Sequence, residues 1–479
     1  MTTSYTVRLK GLINFPGASS TTKTAAEEII RSDVDGHHCF WRAPSIHNHL
    51  SHHVLAAYDL GATASILKNI EKRRENMQRP IQLDPKDKEI VITDENWTQY
   101  VGNSNAYYGF YVFFTEAIKT SSVEGALEKY IFSDFANADP GQMIIRTMSG
   151  ALHPFIHIGF GVEFGHDQLV AAGIAMAAVT TPIPRLLFSF KNPGISKENA
   201  PSLLELLREL YDNERLAPVM PYNPKFDIYD HSRNFMMSDK PPEAAKLIAK
   251  YYVDEAGGDA EFENKAEEIF WASVLVMFGS GREGRKPRLD FFLMHLVTSA
   301  IFFPSLFRVI SNPTSKANLL RAFWSNIVIF MILRGRPVIK PDLLMSYTDV
   351  PRPPVQISAP PPHPKHLGNP ANDEDYNPWP VLVSAGLPFP DSHHPKVMRS
   401  LLYAAEHYGH KGPGEAPGAF LASGAESHPG IAKMDGTIFV RAAGVLMDFM
   451  RWTAYGEPPL EYDWDRSGLG WDEAWDDGR

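Results

Sequence analysis

Residues 47–62 read HNHLSHHVLAAYDLGA, four histidines in seven positions followed by an apolar run that ends at Gly61. Ser45 can N-cap a helix that carries the cluster and stops at Gly61, and Thr63 can start another toward Met77. On such a helix His49 and His53, four apart, leave from one face, while His52 points about 100° away from His53 and His47 lies elsewhere. One i,i+4 pair is half of a metal site. Neutral imidazole suits iron, zinc, copper and nickel, and Asn48 or a backbone carbonyl could fix the ring orientation. The other reading is surface or core histidines that hold nothing.

The same spacing of apolar residues runs outward along the chain, for example Leu203, Leu204, Leu206, Leu207 and Leu210, and sustained period-two alternation is scarce. Helices are expected over 107–119, 141–152, 154–164, 167–179, 201–212, 242–252, 260–278, 290–301, 316–334, 395–408 and 436–454. The segment 351–380 (PRPPVQISAPPPHPKHLGNPANDEDYNPWP) is too rich in proline for a helix or a central strand and reads as an extended crossing. It could divide two domains or strap one. The reading adopted is a single, mainly α domain over 1–479, because the helices after the strap carry residues needed in the same site. An acidic tail occupies 460–479 and either folds back through Trp471 and Trp475 or stays free.

With 479 residues, 44% of them hydrophobic, the chain can bury a sizeable core. The net charge of −10 leaves no basic stripe for nucleic acid or an anionic membrane, so neither is expected as a partner. Cys39 is the only cysteine, which excludes an internal disulfide, fits a reducing compartment and restricts any metal to nitrogen and oxygen donors. The start of the sequence lacks an apolar leader, and the apolar runs near 169–179, 296–307 and 326–333 fall short of about 18 uninterrupted residues. A cytoplasmic, soluble protein is the expectation.

Gly279 to Gly284 (GSGREG) satisfies G-x-G-x-x-G, a pattern that binds dinucleotides only between a strand and a helix. Here a helical pattern precedes it, Pro287 follows, and no acidic residue stands about 20 positions on. A glycine turn that ends a helix is the better reading.

Further histidines lie in apolar surroundings, where an unpaired polar ring costs about 1–3 kcal/mol. His153 and His157 fall in LHPFIHIGFGVEF. Pro154 disfavours helical geometry at His153 and suits a first helical turn, so His153 is expected at a break. His295 lies in LDFFLMHLVTSAIFF, apolar nearly all round and therefore buried; it is either a core histidine with one hydrogen bond or a ligand. In DSHHPKVMRSLLYAAEHYG, Lys396 sits in a first turn, where the helix dipole offers it nothing. It is either a solvated lysine or a buried amine of lowered pKa that can take up carbon dioxide as a carbamate.

Four stretches, HNHLSHHVLAAYDLGA (47–62), ALHPFIHIGFGVEF (151–164), KPRLDFFLMHLVTSA (286–300) and DSHHPKVMRSLLYAAEHYG (391–409), together resemble the questin oxidase-like family of fungal polyketide pathways. The resemblance spans most of the chain and keeps the family's order of blocks. It implies an oxidoreductase that opens a ring of an anthraquinone-type polyketide with dioxygen, either as a non-haem Fe(II) dioxygenase or as a Baeyer-Villiger-type oxidase that uses NADPH. NADPH would then serve as an external reductant of the quinone. The ligand set it implies is His49 and His53, His153, His295 and a carboxylated Lys396, with His157 and His52 as the alternatives to His153 and His53. The rival expectations are a metallohydrolase built on a carboxylated lysine and a non-catalytic polyketide-binding protein.

Overall fold

A computed structural model describes residues 6–17, 19–42, 46–217, 221–355, 363–458 and 464–476. Twenty α-helices account for most of them, and the strands among the described residues are one short antiparallel pair, Phe40–Arg42 with Ile46–His47. The fold is mainly α, as the apolar spacing predicts.

The histidine-rich stretch departs from the expected helix. Ser45 lies outside the described residues, and the chain leaves the strand pair at His47 and enters a helix only at Leu50 (Leu50–Asp59). His49 precedes that helix with φ −111° and ψ 5° and makes no side-chain cap. The cap comes from elsewhere. Asp33, on a helix over Ser20–Gly36 that the sequence reading did not foresee, accepts from Asn48 Nδ2 at 2.6 Å and from Ser51 N and Oγ at 3.1 and 2.6 Å. Its carboxylate thus satisfies one orphan N–H of the helix start, Ser51 N, and suits the dipole, while Asn48 Oδ1 accepts from another, Leu50 N, at 3.0 Å.

Four helices that are apolar nearly all round form the centre: His153–Phe164, Asp167–Val179, Gly258–Phe278 and Pro313–Leu333. The first two pack almost backbone to backbone. A Cβ on Gly161 would sit 2.7 Å from Val170 N, and one on Gly173 would sit 2.8 Å from Ile158 N. Pro313–Leu333 is long and apolar enough to cross a membrane by length and composition, but 94% of its apolar window is buried inside the fold, as for a core helix.

One hydrophobic cluster runs from Val7 to Trp464. Residues 356–362 of the proline-rich segment lie outside the described residues. The rest is irregular apart from a short 3-10 turn at Asp373–Asp375, is tied by Arg352 to Asp373, and ends where a helix starts at Trp379. Of the tail, 464–476 is described, and it folds back: Trp471 packs on His231 and Gly335, and Arg288 Nη1 donates to Ala474 O at 2.7 Å. Gly279 ends the Gly258–Phe278 helix, and no helix begins until Phe291. The G-x-G-x-x-G stretch is therefore a helix stop, as its flanks indicate.

Candidate metal centre

Four imidazoles from four separate stretches close into a ring. Their centroids stand 4.7 Å apart for His49 and His153, 4.9 Å for His153 and His295, 5.3 Å for His295 and His393, and 4.7 Å for His393 and His49. All four are buried.

Each ring is held from behind by its Nδ1. His49 Nδ1 donates to His47 O at 2.6 Å, His153 Nδ1 to Gly150 O at 2.6 Å, His295 Nδ1 to Phe291 O at 2.8 Å, and His393 Nδ1 to the Asp391 carboxylate at 3.3 Å. Those acceptors carry no proton, so the hydrogen must be on Nδ1 and the lone pair on Nε2. The Nε2 atoms then face one another: His49 and His153 at 2.8 Å, His49 and His393 at 3.1 Å. Two lone pairs at that separation repel unless a cation lies between them. His295 Nε2 is buried and has no hydrogen-bond partner among the described residues.

A proton is a poor candidate for that cation. Burial drives the affinities of His49, His153 and His295 for a proton well below the usual histidine range, and their mutual repulsion and nearby Lys396 add to it. His393 falls to about 4, by burial and then by Lys396. The donor set fits a metal ion: nitrogen ligands, with the tautomer of each fixed by an outer acceptor. The ligand atoms of His49, His153 and His393 all lie within 4.8 Å of one another.

Local sequence explains the placement. Gly150, Ala151 and Leu152 have φ of +59°, +52° and +64°, so the chain turns back left-handed before His153 opens its helix with Pro154 behind it. Ala151 and Leu152 each cost about 1–2 kcal/mol in that conformation. The turn aims Gly150 O at the ring of His153. The helix expected over 141–152 accordingly stops at Met148. His393, not Pro395, opens the helix His393–Tyr408, which puts Lys396 one turn on, on the same side as His393. Lys396 Nζ is buried without a hydrogen-bond partner among the described residues, and burial lowers its pKa to about 7.

The chain therefore brings His49, His153 and His295 together and sets Lys396 close enough to disfavour protons on all of them. In place of His53 it brings His393. The i,i+4 relation on which His53 depends does not apply, because His49 is not in the helix. His53 is buried, both its ring nitrogens lack a partner among the described residues, and Arg74 and Asp391 are its leading charged neighbours. His52 and His157 pair with each other, Nε2 to Nδ1 at 2.9 Å. His393 had a legible signal in its i,i+3 spacing from Lys396.

His47, His49 and His153 open onto a cavity of about 2260 Å³ whose walls include Phe40, Phe291, Phe292, Phe330, Phe449 and Trp464. Phe291 and Phe292 line it, whereas the aromatic run Tyr107, Phe110 and Phe114 belongs to the core. His47 lies flat on His153, ring centroids 4.3 Å apart and 3° from parallel.

The profile of the Questin oxidase-like family matches residues 46–401, a span that holds all four imidazoles and Lys396. The chain belongs to that family. Among its questin oxidase-like relatives, a Baeyer-Villiger monooxygenase of Aspergillus aculeatus, AacuH, is 25% identical over 96% of this chain and 91% of its own length. A questin oxidase of Aspergillus fumigatus is 27% identical over 63% of this chain and 68% of its own. Oxidoreductase AflY of Aspergillus parasiticus is 26% identical, covering 67% and 65%. The family match ends at residue 401, so the folded-back segment 464–476 lies outside it.

Proposed function

We propose that this questin oxidase-like chain is a metal-dependent oxygenase that cleaves a ring carbon–carbon bond of an anthraquinone-type polyketide, with Fe(II) held by His49, His153, His295 and His393. The observation that carries the reading is the convergence of Nε2 lone pairs whose Nδ1 hydrogens are all committed elsewhere. Lys396, as a carbamate, would complete the set with an oxygen donor. Its lowered pKa supports this, since only the neutral amine adds carbon dioxide. Its first-turn position supports it further: a helix N-terminus favours an anion over an ammonium.

When bound, Fe(II) supplies the redox chemistry that lets triplet dioxygen react with a closed-shell aromatic. The chain does the rest. The aromatic walls enclose a flat polycycle, and the cavity exceeds the roughly 300–1,000 Å³ that a drug-sized ligand needs. Arg285, Lys286 and Arg466 on its wall can meet a phenolate oxygen, with Asp227, Asp448 and Glu473 on the same wall able to take hydroxyl groups, and Arg466 lies 3.9 Å over the Phe291 ring. His47, kept neutral by burial, with its pKa at about 3, has an Nε2 without a partner among the described residues that can hydrogen-bond a substrate oxygen beside the cluster. NADPH acts outside the site, reducing the quinone before ring opening.

The test is oxygen uptake with a hydroxyanthraquinone and with its chemically reduced form, in air and under nitrogen. Uptake matched by a ring-opened product supports the reading; turnover that persists without dioxygen rejects it. The relative's name, Baeyer-Villiger monooxygenase, favours a second reading in which one oxygen atom is inserted. Labelled dioxygen separates the two: two label atoms in the product mark a dioxygenase, one marks the insertion.

A further inference from the structure

We infer that Asp391 and Trp464 are positioning residues, through which the folded-back segment 464–475 holds the helices of His295 and His393 in place. The inference rests on the metal reading above but concerns residues to which that reading gives no role.

The segment grips both helix starts. At the His295 helix, Phe291 N donates to Asp465 O at 2.8 Å and Asp465 N to Leu289 O at 3.0 Å, so one extended residue is stitched across the entry. Arg288 locks it there, with Nε and Nη2 on the Asp465 carboxylate at 2.8 and 2.7 Å and Nη1 on Ala474 O. Gly470 N donates to Arg334 O at 2.9 Å, and Arg334 Nε donates to Asp290, the N-cap of the same helix, at 2.7 Å.

At the His393 helix the link is one carboxylate. Asp391 Oδ1 accepts from Trp464 Nε1 at 2.9 Å, from His393 N at 2.9 Å and from His394 N at 3.3 Å, while Oδ2 accepts from His393 Nδ1. Trp464 thus fixes the rotation of the carboxylate that fixes the imidazole. A carboxylate behind a ligating histidine sets its tautomer and raises its donor strength, and loss of such a partner typically costs 10–100-fold in metal affinity. Trp464 is also a wall of the cavity, so the segment serves the cluster and its enclosure together.

Asp391→Asn would turn an amide N–H toward His393 Nδ1, push the ring hydrogen to Nε2 and remove the lone pair that faces His49. Trp464→Phe keeps an aromatic ring and removes one of the three N–H groups on Asp391 Oδ1. Trp475→Phe, which removes a bond to Leu469 O inside the segment, is the control.

Cobalt(II) is titrated into the metal-free, full-length protein, and the ring nitrogens of His393 are read by 15N NMR in the same metal-free protein. The expected result is a dissociation constant raised about 10–100-fold in Asp391→Asn and about tenfold in Trp464→Phe. Trp475→Phe stays at the parent value, and His393 changes tautomer in Asp391→Asn. Parent-like cobalt binding and an unchanged His393 tautomer in the first two variants would overturn the inference. If the parent itself takes up no cobalt, the metal reading fails, and the nitrogen shifts alone then decide the positioning role. If Asp391→Asn does not fold, Trp464→Phe decides it.

Discussion

His49 and His393 are 344 positions apart in the chain, yet their Nε2 atoms stand 3.1 Å apart, each ring already bonded through its other nitrogen. Helix starts make this possible. His49 precedes one helix and His153 and His393 each open another, so three backbones deliver imidazoles to one point from three directions.

Removing His393 should therefore release the metal, whereas removing His53 should not. His393→Ala is expected to lower iron retention at least about tenfold, with His53→Ala close to the parent. Elemental analysis after gel filtration reads both. Iron kept by His393→Ala and lost by His53→Ala would restore the i,i+4 pairing.

Lys396 should behave as a reactive amine. With a pKa of about 7 it has a large neutral fraction at neutral pH, and that fraction grows as pH rises. Metal uptake by the carbonate-depleted protein should increase with added bicarbonate and should be steeper at pH 8 than at pH 6. Lys396→Ala should lose this response and recover part of its metal binding with a small carboxylate such as propionate. A bicarbonate response unchanged in Lys396→Ala counts against the carbamate.

Acid should weaken the metal-free fold in a definite window. Burial lowers His157 and His394 to about 4, below the ordinary value of 6.5, so the unfolded chain binds protons first as pH falls. The stability these rings allow is complete above pH 6.5 and is lost progressively toward pH 4, about 3 kcal/mol for each by that point. Urea midpoints measured between pH 7.5 and 4.5 should fall monotonically; a flat profile would mean that the rings are solvated.

Arg399 is buried between two buried carboxylates, 2.6 Å from Asp59 and in contact with Glu163, and these carboxylates also take backbone N–H groups from Leu12, Ile13 and Asn14. Arg399→Met would leave two buried anions without their cation, a change expected to cost about 3–5 kcal/mol. Urea unfolding measures it. A loss below 1 kcal/mol would show that water reaches the cluster.

The mainly helical fold is legible because apolar residues recur at three- and four-residue spacing, with Asp167–Val179 apolar nearly throughout and Gly258–Phe278 over its second half. Asp167–Val179 has its expected bounds, and Gly258–Phe278 starts two residues early. The Ser20–Gly36 helix was missed: STTKTAAEEIIRSDVDG offers only a modest apolar stripe, and its place is set by tertiary contact through Asp33. At the site, His153 could be placed at a break because Pro154 marks one, and His295 because its surroundings demand burial. His53 is favoured over His52 in the sequence by the i,i+4 relation alone, which runs a helix through residues 46–49; a strand residue pair and an unwound His49 stand there instead, and His393 carries no such local relation to the cluster. No local signal reveals that Asp33, from another helix, supplies the cap. The role of Trp464 was equally hidden, since a tail of alternating acids and tryptophans shows its purpose only when it lies against Asp391.

The most direct test is iron reconstitution of the metal-free protein under nitrogen, with the parent compared to a His49→Ala, His393→Ala double variant and iron counted per chain. The account predicts close to one iron per parent chain and almost none in the double variant, with circular dichroism unchanged. Equal iron in both proteins, or none in either, would contradict it.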